Sequence, residues 1–226
     1  MPRDAAGPGQ AGLPAGPAAA FAVLVDGLRE QRAELCAVCP ELSFEDVPAP
    51  RTLAPFATAM AATVEVDEAD VASGRLVLLY DPAGQDGWAG PLRIIVYVRA
   101  DLDPEIAADP LIGQVGWSWL TEALANRTVG YAEPSGTVTR VVTEGFGAKE
   151  TEPSITGFEL RASWSPAGPD RPVPPPASPG APLVPEGDLL DGHLAAWCDA
   201  LCAAAGLPPL AWGVAALRQP GSRRPR

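Results

Sequence analysis

The segment 87–124, GWAGPLRIIVYVRADLDPEIAADPLIGQVGWSWLTEAL, constrains the fold more than any other. It joins the most apolar run of the chain to an Asp-Pro rhythm and holds three of the six tryptophans. Residues 92–99 alternate with period two. Leu92, Ile94, Val96 and Val98 share one face, and Arg93, Ile95, Tyr97 and Arg99 share the other. A strand of this kind needs partners on either side and cover for its apolar face. The flanking sequence therefore reads as leading into that strand and then covering it.

Upstream, Phe21, Leu24, Val25, Leu28 and Leu35 recur at helical spacing with charged residues between them, which predicts an amphipathic helix from residue 18 to just before Pro40. Residues 42–47 predict a short strand stopped by Pro48 and Pro50. Residues 52–66 are rich in alanine, which favours helix. Their period-two alternation nevertheless favours a strand that turns through the acidic DEADVASG into a second strand at 75–80. Together with 92–99 these form a meander.

Asp103 before Pro104 and Asp109 before Pro110 each fit an N-cap followed by proline at the first helical position. Two short turns and a helix over residues 117–126 are expected, with Trp117, Leu120 and Leu124 along one side. A second hairpin follows, over 136–146 and 155–164, with Phe158, Leu160, Ala162 and Trp164 pointing inward. A final amphipathic helix carries Leu190, Leu194, Trp197 and Leu201 and stops at Gly206 and Pro208. The fold class is α+β: a mostly antiparallel sheet of about five strands in hairpins, covered by an N-terminal helix, a central tryptophan-containing helix and a C-terminal helix. The domain plan is a disordered arm over 1–17 and a core over 18–165. A proline-rich linker over 166–187, a docking C-terminal helix over 188–212 and a basic tail over 213–226 complete it.

Composition removes whole classes of function. The formal net charge of −12 opposes any general affinity for nucleic acid or an anionic membrane surface. The basic tail with Arg218, Arg223, Arg224 and Arg226 reads as solvated. No apolar run approaches the roughly 18 residues of a membrane helix. Residues 18–25 resemble a signal-peptide core but run into Asp26 instead of a cleavage site, so the expected location is the cytoplasm. There is no GxxxxGK[ST], no strand-linked GxGxxG and no GxSxG.

His193 is the single histidine, so a Ser-His-Asp or Cys-His apparatus would have to use it. It shares a helix face with Trp197, whereas Cys198 is rotated about 140° away, and a partly buried structural residue is the simpler reading. Cys36/Cys39 and Cys198/Cys202 form two close pairs, but both pairs lie on predicted helices rather than the tight turns of a zinc ribbon. Reduced, largely buried thiols are expected, with no metal and no cofactor. Asp101, Asp103 and Glu105 imitate the start of a calcium loop whose glycine and closing glutamate are missing, and capping explains Asp103 better.

The candidates for binding are arginines on strands and one tryptophan in a loop. Arg93, Arg99, Arg140 and Arg161 could meet on one sheet face, joined by Arg75, and hold a carboxylate or phosphate through the guanidinium fork. A cross-strand ladder with Glu144 and Glu159 is the plainer alternative. Trp88 sits between glycines, either tucked under its loop or offered to a partner.

Several of these segments also carry a resemblance: VPAPRTLAPFA, GRLVLLYDP, GWAGPLRIIVYVRADLDPEIAADPL, VGWSWLTEAL, PSGTVTRVVTEGFG, ELRASWSP and HLAAWCDALCAAAGLPP. Together they resemble an uncharacterised actinobacterial family, domain of unknown function number three thousand, over residues 21–209 apart from the proline-rich insert. That pattern takes in Cys198 and Cys202 but not Cys36 and Cys39. The family has no assigned activity, so the resemblance implies no catalytic residue.

The reading that remains is a non-catalytic cytoplasmic domain binding a protein or a small anionic ligand. The alternative is an enzyme with a carboxylate/arginine site, Asp101 or Glu144 with Arg99 or Arg140, acting on a small anionic substrate.

Overall fold

The computed structural model describes residues 16–127, 130–151, 155–167 and 187–208. The expectations for residues 1–15, most of the proline-rich linker and the basic tail lie outside these residues.

Helix α1 (Pro17–Val38) leads into strands β1 (Leu42–Asp46), β2 (Phe56–Val66), β3 (Ala69–Tyr80) and β4 (Leu92–Asp101). Helices α2 (Pro104–Ala108) and α3 (Ile112–Asn126), strands β5 (Gly130–Thr143) and β6 (Ile155–Ala167), and helix α4 (His193–Ala204) follow. The six strands form one antiparallel sheet in the order β1-β2-β3-β4-β6-β5. The meander and the second hairpin are those the alternation predicts, and the short β1 makes the sixth strand. The 52–66 segment is a strand, as its period-two pattern requires. The acidic turn is tighter than expected: Asp67 and Glu68, at φ 52° and 63°, make a two-residue turn, and β3 starts at Ala69. Positive φ at both central residues matches the right-handed twist of the flanking strands.

Helices α1, α3 and α4 pack against one face of the sheet. Leu92, Ile94, Val96 and Val98 are buried there with Leu76, Leu78, Leu160 and Trp164. Asp103 caps α2 as expected, its side chain accepting from the Glu105 amide at 2.8 Å. Asp109 accepts from the Leu111 amide at 2.8 Å, but the helix it precedes starts at Ile112, more than a turn before the expected Trp117. Gly116 explains that extension: a β-carbon there would lie 2.2 Å from the Phe158 ring, so the bare backbone is what lets α3 settle on β6.

Helix α4 departs from the amphipathic expectation. Of its 12 residues, 11 are buried, from His193 to Ala204. It lies over β3 and β4 between α1 and α3, so no side of it faces solvent. At Gly74 an added β-carbon would lie 2.7 Å from the Tyr97 carbonyl oxygen and 2.9 Å from the Trp197 ring. With that space left open, the Trp197 ring comes up against Gly74 and its indole N–H donates to the Tyr97 carbonyl at 3.3 Å. The helix ends in a Schellman arrangement: Gly206, at φ 76°, donates to the Ala203 carbonyl and Leu207 to the Cys202 carbonyl.

Candidate functional site

The face of the sheet away from the helices is where the strand arginines gather. Alternation along β4 sends Arg93, Ile95, Tyr97 and Arg99 to it. The register then sets Tyr97 between Arg75 and Arg161, and Arg99 between Ser73 and Glu159. Arg75, Arg93, Arg99 and Arg161 therefore share one face. Arg140 does not join them. It is opposite Phe158, whose ring points into the helix side, and its guanidinium donates to the Asp109 carbonyl at 3.3 Å. Of the carboxylate/arginine pairs, Asp101 and Arg99 leave β4 on the same side, while Arg140 leaves its strand on the other. Glu144 lies past the end of β5.

One end of this face is roofed. The stretch 47–57 and the loop 81–91 fold over Ala59, Val77 and Leu79, with Trp88 and Ile95 against the same small cluster. Trp88 is half-buried, its ring tucked under its own loop. Gly87 and Gly90, at φ 79° and 137°, give the backbone the reversal that brings it there. The next amide, Ala89 N–H, donates to Ser165 Oγ at 3.1 Å and ties the loop to β6.

Arg93 lies at the edge of this roof and is 9% exposed. It donates to Ser163 Oγ at 2.7 Å, and to Ser135 Oγ and Ser165 Oγ at 3.4 Å each. Among the described residues no carboxylate is in hydrogen-bond or ion-pair contact with it. Burial pushes its pKa down, and the Glu133 carboxylate, further off, partly opposes that. Glu133 occupies an irregularity of β5 between Ala132 and Ser135, with φ 50°. A guanidinium offers five N–H donors, so three bonds to hydroxyls leave it able to take a further acceptor.

Beyond the roof the face is open. Arg161 pairs with Glu159 at 2.8 Å and sits 5.2 Å from the centre of the Tyr97 ring. Burial, then the Glu159 hydrogen bond, raise the Tyr97 phenol pKa against the pull of Arg161 and Arg99. Arg75 donates to the Pro48 carbonyl. Arg99 is exposed and, among the described residues, makes no hydrogen bond or ion pair. Arg161 and Glu159 stand two residues apart on β6, so their pair is not the cross-strand ladder expected, and among the described residues Arg93 and Arg99 contact no carboxylate.

The sequence reasoning missed the three serines. Their signal was present in S-W-S at 163–165, where alternation sends Ser163 outward beside Arg161. Ser135, however, reaches Arg93 only through the β5–β6 pairing.

On the helix side the polar groups serve the interior. His193 is fully buried, and its Nδ1 accepts from the Trp164 indole at 3.0 Å. Among the described residues its Nε2 has no partner, and burial lowers its pKa to about 4. Arg127 and Asp199 form a two-pronged pair at 2.7 and 2.5 Å that fastens the end of α3 to α4. All four cysteines are free thiols. Cys39, Cys198 and Cys202 are buried, Cys36 is exposed, and the Cys39 thiol donates to the Glu41 carboxylate at 3.4 Å. Burial raises the pKa of the three buried thiols, which keeps them protonated. Among the described residues no group of three or more His, Cys, Asp or Glu side chains could hold a metal ion.

The family profile described as "Protein of unknown function (DUF3000)" matches residues 17–215. No curated protein and no solved structure matches the chain.

Proposed function

The chain belongs to the DUF3000 family, and we propose for it a non-catalytic binding role on the helix-free face of the sheet. The ligand is an anionic group, a carboxylate or phosphate borne by a partner protein or a small molecule. Arg93 receives it beside Trp88, while Arg99 and Arg161 line the approach. The observation that carries this reading is Arg93 itself. A buried guanidinium bonded to neutral hydroxyls has, among the described residues, no carboxylate in contact with it, and an incoming anion would supply one. The working location is the cytosol, which suits four free cysteines. No helix among the described residues is long and apolar enough to cross a membrane.

The test is fluorescence anisotropy with a labelled glutamate-rich peptide, with inorganic phosphate as competitor. Removing a charge-assisted hydrogen bond costs about 1.5–3 kcal/mol, so Arg93→Gln should weaken binding by roughly ten-fold or more. Arg99→Gln with Arg161→Gln should weaken it less and flatten its salt dependence, and Arg140→Gln should leave it unchanged. Equal binding by wild type and Arg93→Gln would remove the proposal. Phosphate that displaces the peptide indicates a shared oxyanion pocket, whereas peptide binding indifferent to phosphate points to the open Arg99 and Arg161 surface.

A further inference from the structure

The two edges of the sheet are built differently. β1, at one edge, has five residues and carries Glu45 and Asp46. β5, at the other, has 14 residues, and from 134 to 143 its only charged side chain is Arg140. A long edge strand presents a row of backbone donors and acceptors, and proteins usually blunt such edges with charges, bulges or brevity. β1 is blunted in that way. The half of β5 beyond its irregularity at 133 is not.

Apolar side chains cluster along the same flank. Val141 is 40% exposed, Val142 60%, Phe146 79% and Ile155 57%, all at the loop end of the β5–β6 hairpin. Ile106, Leu111 and Val115 are also exposed, on the α2–α3 stretch whose Asp109 carbonyl receives the Arg140 guanidinium. Exposed apolar groups gathered beside an open strand mark an association surface.

We propose that β5 pairs antiparallel with the β5 of a second copy, about a two-fold axis through Thr139, to make one continuous sheet across the dimer. Charge singles out this strip as the place where a second copy can dock. A chain of net charge −12 repels its like, and the carboxylate-free strip 134–143 is where two copies meet with the least repulsion. About Thr139, Val138 lies opposite Arg140 of the partner subunit, Thr137 opposite the partner's Val141, and Gly136 opposite the partner's Val142. No like charges face each other.

Size agrees as well. Gly136 already accommodates the edge of Trp117, since a β-carbon there would lie 2.5 Å from that ring, so the incoming valine meets an aromatic floor. A ladder of about seven residues spans about 24 Å.

The test is light scattering coupled to size exclusion, on the full chain over a dilution series. The expected mass is twice the 23.3 kDa of the chain, falling to one copy on dilution. Val142→Lys and Thr139→Lys, both at exposed positions, should raise the dissociation constant ten-fold or more with an unchanged far-ultraviolet circular dichroism spectrum. Ser43→Lys on the opposite edge should leave it unaltered. A monomer at every concentration up to roughly 100 μM overturns the proposal, since mass action populates a specific dimer as concentration rises. A dimer indifferent to both β5 variants overturns it too, because it would place the interface elsewhere.

Discussion

His193 gives the sharpest quantitative prediction. Its imidazole is wholly buried, and its Nδ1 is already committed as acceptor to the Trp164 indole. Protonation would place an N–H against that indole N–H and bury a cation whose other nitrogen has no partner among the described residues. The folded protein therefore holds it neutral, with a pKa of about 4 against the ordinary 6.5. The unfolded chain takes up the proton near 6.5 and the folded one only near 4. The contribution is thus fully present above pH 6.5, declines as pH falls through that window, and is gone below about 4. At about 1.4 kcal/mol per pH unit the loss comes to about 3 kcal/mol, a large share of the 5–15 kcal/mol that holds a typical domain together. Urea unfolding from about pH 7 to pH 4 measures it, with His193→Asn as the reference. Asparagine keeps an oxygen acceptor near the Nδ1 position and does not titrate. The variant should lose about 3 kcal/mol less than wild type across the window, which separates the histidine from the many carboxylates that titrate in both proteins. Parallel curves for the two proteins would refute the reasoning.

Four further substitutions test the packing. Gly116→Ala and Gly113→Ala sit on the same helix and should act in opposite directions. The first drives a methyl into the Phe158 ring and should destabilise by about 1–3 kcal/mol, whereas the second meets nothing within 4 Å and should gain up to about 1 kcal/mol of helix propensity. Arg127→Met should cost about 3–5 kcal/mol in chemical denaturation, because it leaves the Asp199 carboxylate buried without its guanidinium. Trp88→Ala should cost about 1–3 kcal/mol and speed amide exchange in strands β2 and β3 beneath the loop, since it uncovers Ala59, Val77 and Leu79. A tryptophan offered wholly to a partner would instead leave stability unchanged.

The strands were the legible part of the sequence. In β4 and β6 one parity is apolar and the other polar, so face and register follow from alternation. β5 has no such contrast: Thr137, Thr139 and Val141 on one face and Val138, Arg140 and Val142 on the other read alike. The separation of Arg140 from the other arginines therefore appears only once the pairing with Phe158 is known. Helix α4 looked amphipathic because Asp199 and His193 interrupt its apolar residues. Burial on every side depends on Arg127 and Trp164 arriving from distant segments to satisfy those two. The roof over the second face was illegible for a related reason. Residues 47–57 have prolines and no period, and they cover the sheet through small side chains that carry no pattern. The site itself was half legible. Arg93 and Trp88 stood out as residue types in odd places, but the serines that hold Arg93 come from three positions on two strands.

Heteronuclear NMR of the labelled protein, titrated with a glutamate-rich peptide, tests the central claim most directly. The account predicts that the Trp88 indole, the Arg93 Nε–H and the amides of 97–99 and 159–165 shift together and saturate, while the helix-side Trp197 indole and the Arg140 amide stay in place. It also predicts that Arg93→Gln abolishes the response around Trp88. Shifts confined to the helix side, or an Arg93 signal that stays put while the peptide binds, would contradict it.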